Sequence, residues 1–301
     1  MLNLTDVVVS GSRSDPATRK NMVKVQYRDR LGNQMFQYAL GRILAERLGF
    51  SLNAQPLEQF AGTQFLPEGA TFEAPVQLLT GQKIDFDGVI KDQSARCILL
   101  DGWFQRAEYY VASRMQLREW FAFGSSEGVV CADDLVVNVR RTDFIGLGWA
   151  LPFAWYEEAI ENALPKGGRV SIVTDDPHDP FFRHFRRWRP RFFRGTPAEQ
   201  MAYMTAAPRL VMSASTFSWW PAFLGHAETI VCPVPSFGVW AGDGGHEIAL
   251  TDVPGFTRLP APSPYAPDLL EGAYQRWRSY RARGADWLNR HLGTRFAVSK
   301  F

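Results

Sequence analysis

Cysteine is scarce in this chain. Cys97, Cys131 and Cys232 are the only three among 301 residues. An odd number at such wide spacing excludes a complete disulfide framework and offers no metal-ligand pattern. All three are therefore expected to be reduced, as in a cytoplasmic protein. An excess of one charge is also missing, since 33 Lys and Arg face 31 Asp and Glu. That balance gives no general preference for polyanions and argues against a nucleic-acid partner. Long hydrophobic runs are lacking too. Stretches such as Leu135 to Val139 fall far short of the ~20 residues that span a bilayer. The first residues lack the charged-then-apolar pattern of a secretory signal. No low-complexity tract or internal repeat stands out, and the 46% apolar content suits a globular protein with a sizeable core.

What is present reads as alternating strands and helices. Residues 1–21 are polar, lack periodicity and are expected to be a flexible leader, with Met22 as an alternative start. Short apolar, β-branched runs predict strands at Val23–Tyr27, Cys97–Leu100, Leu135–Val139, Val170–Thr174, Arg209–Ser213 and Thr229–Cys232. Phe36, Leu40, Ile43, Leu44 and Leu48 repeat at helical spacing up to Gly49, a C-terminal stop. Tyr156 to Ala163 is a second helical segment. Asp179-Pro180 is a cap pair opening a third. Such alternation implies parallel sheets with crossover connections, an α/β fold. The pattern lapses around Gly124–Asp134, which places a boundary between an N-terminal α/β domain (22–130) and a second one (131–260). The prolines from Pro260 to Pro267 read as a stiff surface connection to a C-terminal helical segment within 261–301.

The unusual polar residues sit at strand ends, where open parallel sheets bind ligands. Leu135–Val139 leads into Arg140-Arg141-Thr142-Asp143. Val170–Thr174 leads into Asp175-Asp176. Arg209–Ser213 leads into Ser215-Thr216-Phe217-Ser218-Trp219-Trp220. Arginine forks suit phosphate oxygens. Hydroxyls at a helix start make an anion site, and a carboxylate such as Asp175 or Asp176 can accept from guanine. Each piece alone is also an ordinary feature: a solvated Arg pair, a capped turn, a Ser-rich helix start. Their shared location is what points to a nucleotide diphosphate. In the first half, Asp29-Arg30-Leu31-Gly32-Asn33-Gln34 forms a loop into a helix, and Gly32 permits close backbone approach. Neither the three-glycine dinucleotide fingerprint nor the Lys of a P-loop is there.

Leu31-Gly32-Asn33-Gln34-Met35-Phe36-Gln37-Tyr38-Ala39 closely resembles the first signature of the family 11 glycosyltransferases, the α1,2-fucosyltransferases. Asp101-Gly102-Trp103-Phe104-Gln105 with Tyr109-Tyr110 is similar to a second segment of that family. Asn138-Val139-Arg140-Arg141-Thr142-Asp143 resembles a His-x-Arg-Arg-x-Asp motif shared with α1,6- and protein O-fucosyltransferases. Ser215 to Trp220 resembles a Ser-Ser-Phe-Ser-Trp-Trp signature. The resemblance spans roughly residues 22 to 240. It implies a GT-B fold of two Rossmann-like domains facing across a cleft. It also implies inverting, metal-independent transfer of L-fucose from GDP-fucose to a galactoside or lipid-linked glycan, with no cofactor. By matching positions, Arg140 would bind the β-phosphate. Gly32, Asn138, Ser215, Thr216, Phe217 and Ser218 would line the donor, and Asp175 or Asp176 would serve guanine. Asn33 would reach the reacting centre. Asp143 would orient an arginine or act as base, alongside Asp29, Asp101 and Glu108 as base candidates.

The chain departs from the pattern at Asn138 (His in the motif), at Asp29 and Arg30 (glycines) and at Ala214 (Asn). These departures leave linkage and acceptor open, and a non-catalytic sugar-nucleotide or glycan-binding relative is the alternative. Two further segments are expected to be bland. Asp85-Phe86-Asp87 has an Asp-x-Asp form but reads as a solvated loop. Phe181 to Arg194 interleaves six arginines with aromatics and reads as an amphipathic helix with a basic face, followed by a strand beyond Pro190. Peripheral contact with anionic lipid at the inner membrane face is the other reading of that segment.

Overall fold

A computed structural model describes residues 21–63, 76–92, 94, 97–124, 130–242 and 247–292. Residues 1–20 of the expected leader and 125–129 of the expected boundary loop lie outside them. The first half contains β1 (Met22–Val25), β2 (Ser51–Asn53), β3 (Val76–Gly81) and β4 (Cys97–Gly102), parallel in the order β2-β1-β4-β3. Helix α1 (Leu31–Leu48) connects β1 to β2, and α2 (Phe86–Lys91) connects β3 to β4. The second half is also parallel, in the order β10-β9-β8-β5-β6-β7. Its strands are β5 (Asp134–Val139), β6 (Arg169–Thr174), β7 (Arg191–Phe193), β8 (Arg209–Val211), β9 (Thr229–Pro235) and β10 (Phe256–Ala261). Helix α3 (Arg114–Trp120) precedes this sheet. Within the half come α4 (Thr142–Gly146), α5 (Phe153–Ala163), α6 (Pro197–Thr205) and α7 (Thr216–Leu224), and α8 (Leu269–Leu292) is the last element of the described residues.

All six apolar runs form strands. β5 is buried along its whole length, as expected for a strand covered on both faces. Helix α1 stops where Gly49 adopts a left-handed φ of 66°, its N–H closing on Ala45 and Glu46. The expected surface connection from Pro260 begins two residues later than its first proline. β10 runs through Pro260 to a buried Ala261. Proline is tolerated there because β10 is an edge strand.

The Phe181–Arg194 segment also differs from expectation. It is a 3-10 helix from Pro180 to Trp188 rather than an α-helix, with the expected strand (β7) after it. Asp179 caps it, accepting from the Phe181 N–H at 3.0 Å. Phe181, Phe182 and Phe185 are buried in the second core cluster, so the aromatics serve packing and the arginines are left outside. Of the Asp85-Phe86-Asp87 segment, Asp85 is exposed just before α2, and Phe86 and Asp87 lie in its first turn. Asp85 caps α2 by accepting from the Gly88 N–H at 2.9 Å.

The first core cluster is continuous across both halves. Phe36 on α1 packs on Trp219 and Trp220 of α7, with ring centroids 4.9 and 4.5 Å away. The Trp220 indole N–H also donates to the Gly32 carbonyl at 2.9 Å. Two large aromatic side chains, both fully buried, thus fix the start of α1 against α7.

Candidate functional site

Counted from β5, the second sheet runs 3-2-1-4-5-6 from β7 to β10. This is the doubly wound order, and its crevice lies where the order reverses, between β5 and β8. Arg140 follows β5 directly, and Ser213 to Ser215 follow β8. The first sheet reverses between β1 and β4, and the β1–α1 loop leaves from that point.

Arg140 is mostly buried and held in place. Its Nη2 donates to Asp143 Oδ1 at 2.7 Å and lies 3.4 Å from Asp175 Oδ2. Its guanidinium carbon stands 5.1 Å over the Phe144 ring. Its Nε is buried without a hydrogen-bond partner among the described residues. An unmet buried donor is unfavourable by about 1–3 kcal/mol, so this arginine is not arranged for stability alone. Asp143 also approaches Arg30 Nη1 at 3.4 Å, which ties the β1–α1 loop to the second half. Burial by itself pushes the Asp143 carboxyl up. Arg140, the Thr142 hydroxyl and Arg30 outweigh this and hold it below the ordinary carboxylate range.

The loop from Arg28 to Arg30 is pinned from α1. Gln37 accepts from the Arg28 N–H at 2.9 Å, and Gln34 donates to the Asp29 carbonyl at 2.8 Å. The sequence places the Gln34 amide near the helix start, facing a ligand or solvent, and gives Gln37 no separate role. Their offsets from the loop, five and nine residues, were the available signal. Asp29 has a left-handed φ of 66°, an uncommon geometry for a residue with a Cβ. Its Oδ2 accepts from Asn33 Nδ2 at 2.6 Å, and Asn33 Oδ1 accepts from Gln105 Nε2 at 2.8 Å. Asn33 is therefore a bracket between Gln105 and Asp29. Gln105 is held in turn, its N–H donating to Gln82 Oε1 at 2.7 Å.

Gly32 is needed for close approach. A Cβ there would lie 2.7 Å from Thr216 Oγ1 and 2.9 Å from the Phe217 nitrogen. The backbone of Thr216 and Phe217 leaves no room to yield. Gly32→Ala is expected to lose about 1–3 kcal/mol, the scale of overpacking, and to reduce activity. Urea denaturation alongside turnover checks this, and wild-type values of both would contradict the packing described. Ser215 caps α7, its Oγ accepting from the Phe217 N–H at 3.2 Å. Thr216 and Phe217 are half-buried at the helix start.

Other expected donor-binding residues are committed elsewhere. Asn138 is buried within the sheet, donating to the Val173 carbonyl at 3.1 Å and accepting from Ser213 Oγ at 2.6 Å. Ser218 is fully buried and donates to carbonyls of its own turn. Asp175 accepts from the Arg141 N–H at 2.8 Å and the Thr142 hydroxyl at 2.5 Å, so it organises the arginine loop. Asp176 is 4% exposed and engaged by Tyr274 and Arg278 of α8. Burial raises its carboxyl pKa, against the pull of Arg278. Both carboxylates expected to serve guanine thus have protein partners in the structure. No sequence pattern could pair Asp176 with a helix about a hundred positions away.

Arg141 differs from its neighbour. It is fully buried, donates to the buried Asp179 at 2.9 Å and lies between the rings of Phe181 and Tyr265 at 3.9 and 4.0 Å. Removing one partner of such a pair strands a buried charge. Asp179→Ala is expected to lose about 3–5 kcal/mol in urea denaturation, and a loss under about 1 kcal/mol would contradict this reading.

The remaining base candidates separate by partner. Asp101 is bonded to Arg28 at 2.5 Å, a contact that holds its carboxyl below the usual range. Glu108 accepts from Arg106 at 2.7 Å. Asp29 has no cationic partner among the described residues. A cavity of about 810 Å³, lined in part by Lys83, Asp85, Asp87, Glu108 and Glu247, opens elsewhere on the first half. It contains none of the Arg140 cluster.

No family model matches the sequence, and no curated protein matches it. Solved structures of fucosyltransferases do match in part. FUT1 of Arabidopsis thaliana, in a substituted form in complex with GDP, is 10% identical over 70% of each chain with a TM-score of 0.46. The NodZ α-1,6-fucosyltransferase co-crystallised with GDP is 15% identical over 71% of this chain and 94% of its own, with a TM-score of 0.44. NodZ from Bradyrhizobium gives 15% identity over 71% and 96%, at 0.44. Among the described residues, no helix is long and apolar enough to cross a membrane.

Proposed function

We propose that this chain is a GDP-fucose-dependent fucosyltransferase of GT-B type, inverting and metal-independent, with its donor site at the crevice between β5 and β8. The four segments that resemble the family 11 enzymes support this. The observation that carries it is Arg140, held at the crevice by Asp143 and Asp175, with Arg30 reaching the same Asp143 and Gly32 packed on the first turn of α7. In transfer from GDP-β-L-fucose, the bond from C1 to the β-phosphate oxygen breaks. The acceptor oxygen bonds to C1 from the opposite face, its proton passes to a base, and GDP leaves. Negative charge grows on the β-phosphate. Without a metal, Arg140 and the N–H groups at the α7 start stabilise it. Asp29 is the base in this reading, because each other candidate carboxylate is paired with arginine and Asn33 aims the Asp29 carboxylate. Asp143 is a positioning residue for Arg140.

The acceptor in this reading is galactose in a surface or lipid-linked glycan, joined through an α1,2 linkage. The decisive experiment incubates the protein with GDP-fucose and a panel of galactosides and lipid-linked glycans, with and without EDTA, and assigns the product linkage by NMR. The expected result is an α1,2-fucosylated galactoside at full rate in EDTA. Loss of activity in EDTA would remove the metal-independent mechanism. Another linkage would overturn the acceptor assignment, and GDP binding without any turnover would favour a non-catalytic relative.

A further inference from the structure

We infer that the outer face of α8, with the adjoining arginines of the 3-10 helix, docks on an anionic lipid surface. The inner face of α8 is fully engaged. Glu271 accepts from Tyr265 and lies 3.1 Å from both Arg183 Nη1 and His184 Nε2. Tyr274 donates to Asp176, Gln275 donates to Asp179 at 2.9 Å, and Arg278 reaches Asp176 at 3.2 Å. Positions 271, 274, 275 and 278 form one helical stripe, and the opposite stripe has no ion-pair or hydrogen-bond partner on another element among the described residues.

That outer stripe has the composition of an interfacial helix. Leu269 is 92% exposed, Tyr280 66%, Leu270 57% and Trp277 50%. Arg281 lies over the Trp277 ring at 5.0 Å and Arg283 over Tyr280 at 4.8 Å. Arg276, Arg281 and Arg283 have no acidic partner among the described residues, and the only acidic residue from 269 to 283 is the buried Glu271. Exposed arginine beside Trp and Tyr, with leucine at the same surface, fits the boundary between headgroups and acyl chains. Phosphodiester recognition alone would give the leucines no role.

The 3-10 helix extends the charge. Side chains three apart eclipse in this geometry. Arg183 pairs with Asp268 and Glu271 at the start of α8, so Arg186, one turn on, continues the same edge. Arg186, Arg189, Arg191 and Arg194 are exposed and without acidic partners among the described residues. Phe181, Phe182 and Phe185 are buried and Trp188, Phe192 and Phe193 are half-buried, so α8 supplies the inserting groups and the 3-10 helix supplies charge.

Flotation of the full chain tests this, using vesicles of phosphatidylcholine alone and of phosphatidylcholine mixed with phosphatidylglycerol. The expected result is flotation with the mixed vesicles only, reversed by high salt through screening. Trp277→Ala with Tyr280→Ala, and separately Arg276→Glu with Arg281→Glu and Arg283→Glu, are each expected to reduce the bound fraction at least ~tenfold. Circular dichroism and turnover on a soluble acceptor are expected to stay at wild-type values, which keeps this test independent of the catalytic reading. No flotation, equal flotation on both vesicles, or flotation undiminished in either variant would overturn the inference. So would binding of single-stranded RNA in place of vesicles, or a dimer in light scattering that the same substitutions dissolve.

Discussion

Replacing Arg140 with alanine is expected to lower kcat/KM for GDP-fucose by at least ~10²-fold, the scale of removing one main donor to a developing negative charge. The position makes the loss local. Arg140 stands at the end of β5, and its two carboxylate partners fix its Nη2 rather than its whole fork. The loss should fall on kcat as well as KM, because the β-phosphate gains charge as the C1–O bond breaks. Arg140→Lys should recover only part of the rate, since an ammonium keeps the charge but not the fork. Alanine also leaves Asp143 and Asp175 without their cation, so thermal denaturation of the variant must be measured alongside. A folded variant with near-normal turnover would remove Arg140 from the mechanism.

The second large effect is expected at Asp29. Asp29→Asn should lower kcat by about 10²-fold, the lower end for loss of a general base, with GDP affinity unchanged. The substitution is clean on physical grounds. Asparagine tolerates the left-handed backbone of position 29, and its carbonyl can still accept from Asn33 Nδ2. Only the proton affinity is removed. Asp101→Asn and Glu108→Gln are expected to stay within a few-fold of wild type, because those carboxylates are arginine-bound. A full-rate Asp29→Asn would leave the oxocarbenium-like step without base assistance. A large loss at Asp101 instead would move the base to β4.

The core strands were legible because a strand covered on both faces must be an apolar β-branched run, and β5 and β6 are such runs. β3 was not legible, since it carries exposed Val76 and Leu78 beside a single buried Leu79 and shows no clean alternation. β2 has only three residues, too few for any period. β10 was obscured by Pro260, which a central strand would not tolerate but an edge strand does. In the site, residue types at strand ends placed Arg140, Asp143 and Ser215 together. What the pattern could not carry was the partner of each polar group. Asn138 turned inward to Val173 and Ser213, and Asp176 was claimed by α8, because those contacts depend on elements distant in sequence. The role proposed for Asp29 rests on the pairing of Arg28, Arg106, Arg140 and Arg30 with the other carboxylates, which sequence spacing does not show.

Isothermal titration of GDP and GMP into the wild-type protein and Arg140→Ala tests the central claim most directly. If Arg140 holds the β-phosphate, GDP binds the wild type at least ~tenfold more tightly than GMP, about 1.4 kcal/mol, and that gap closes in the variant. Equal affinity for the two nucleotides in the wild type, or an unchanged gap in Arg140→Ala, would contradict it.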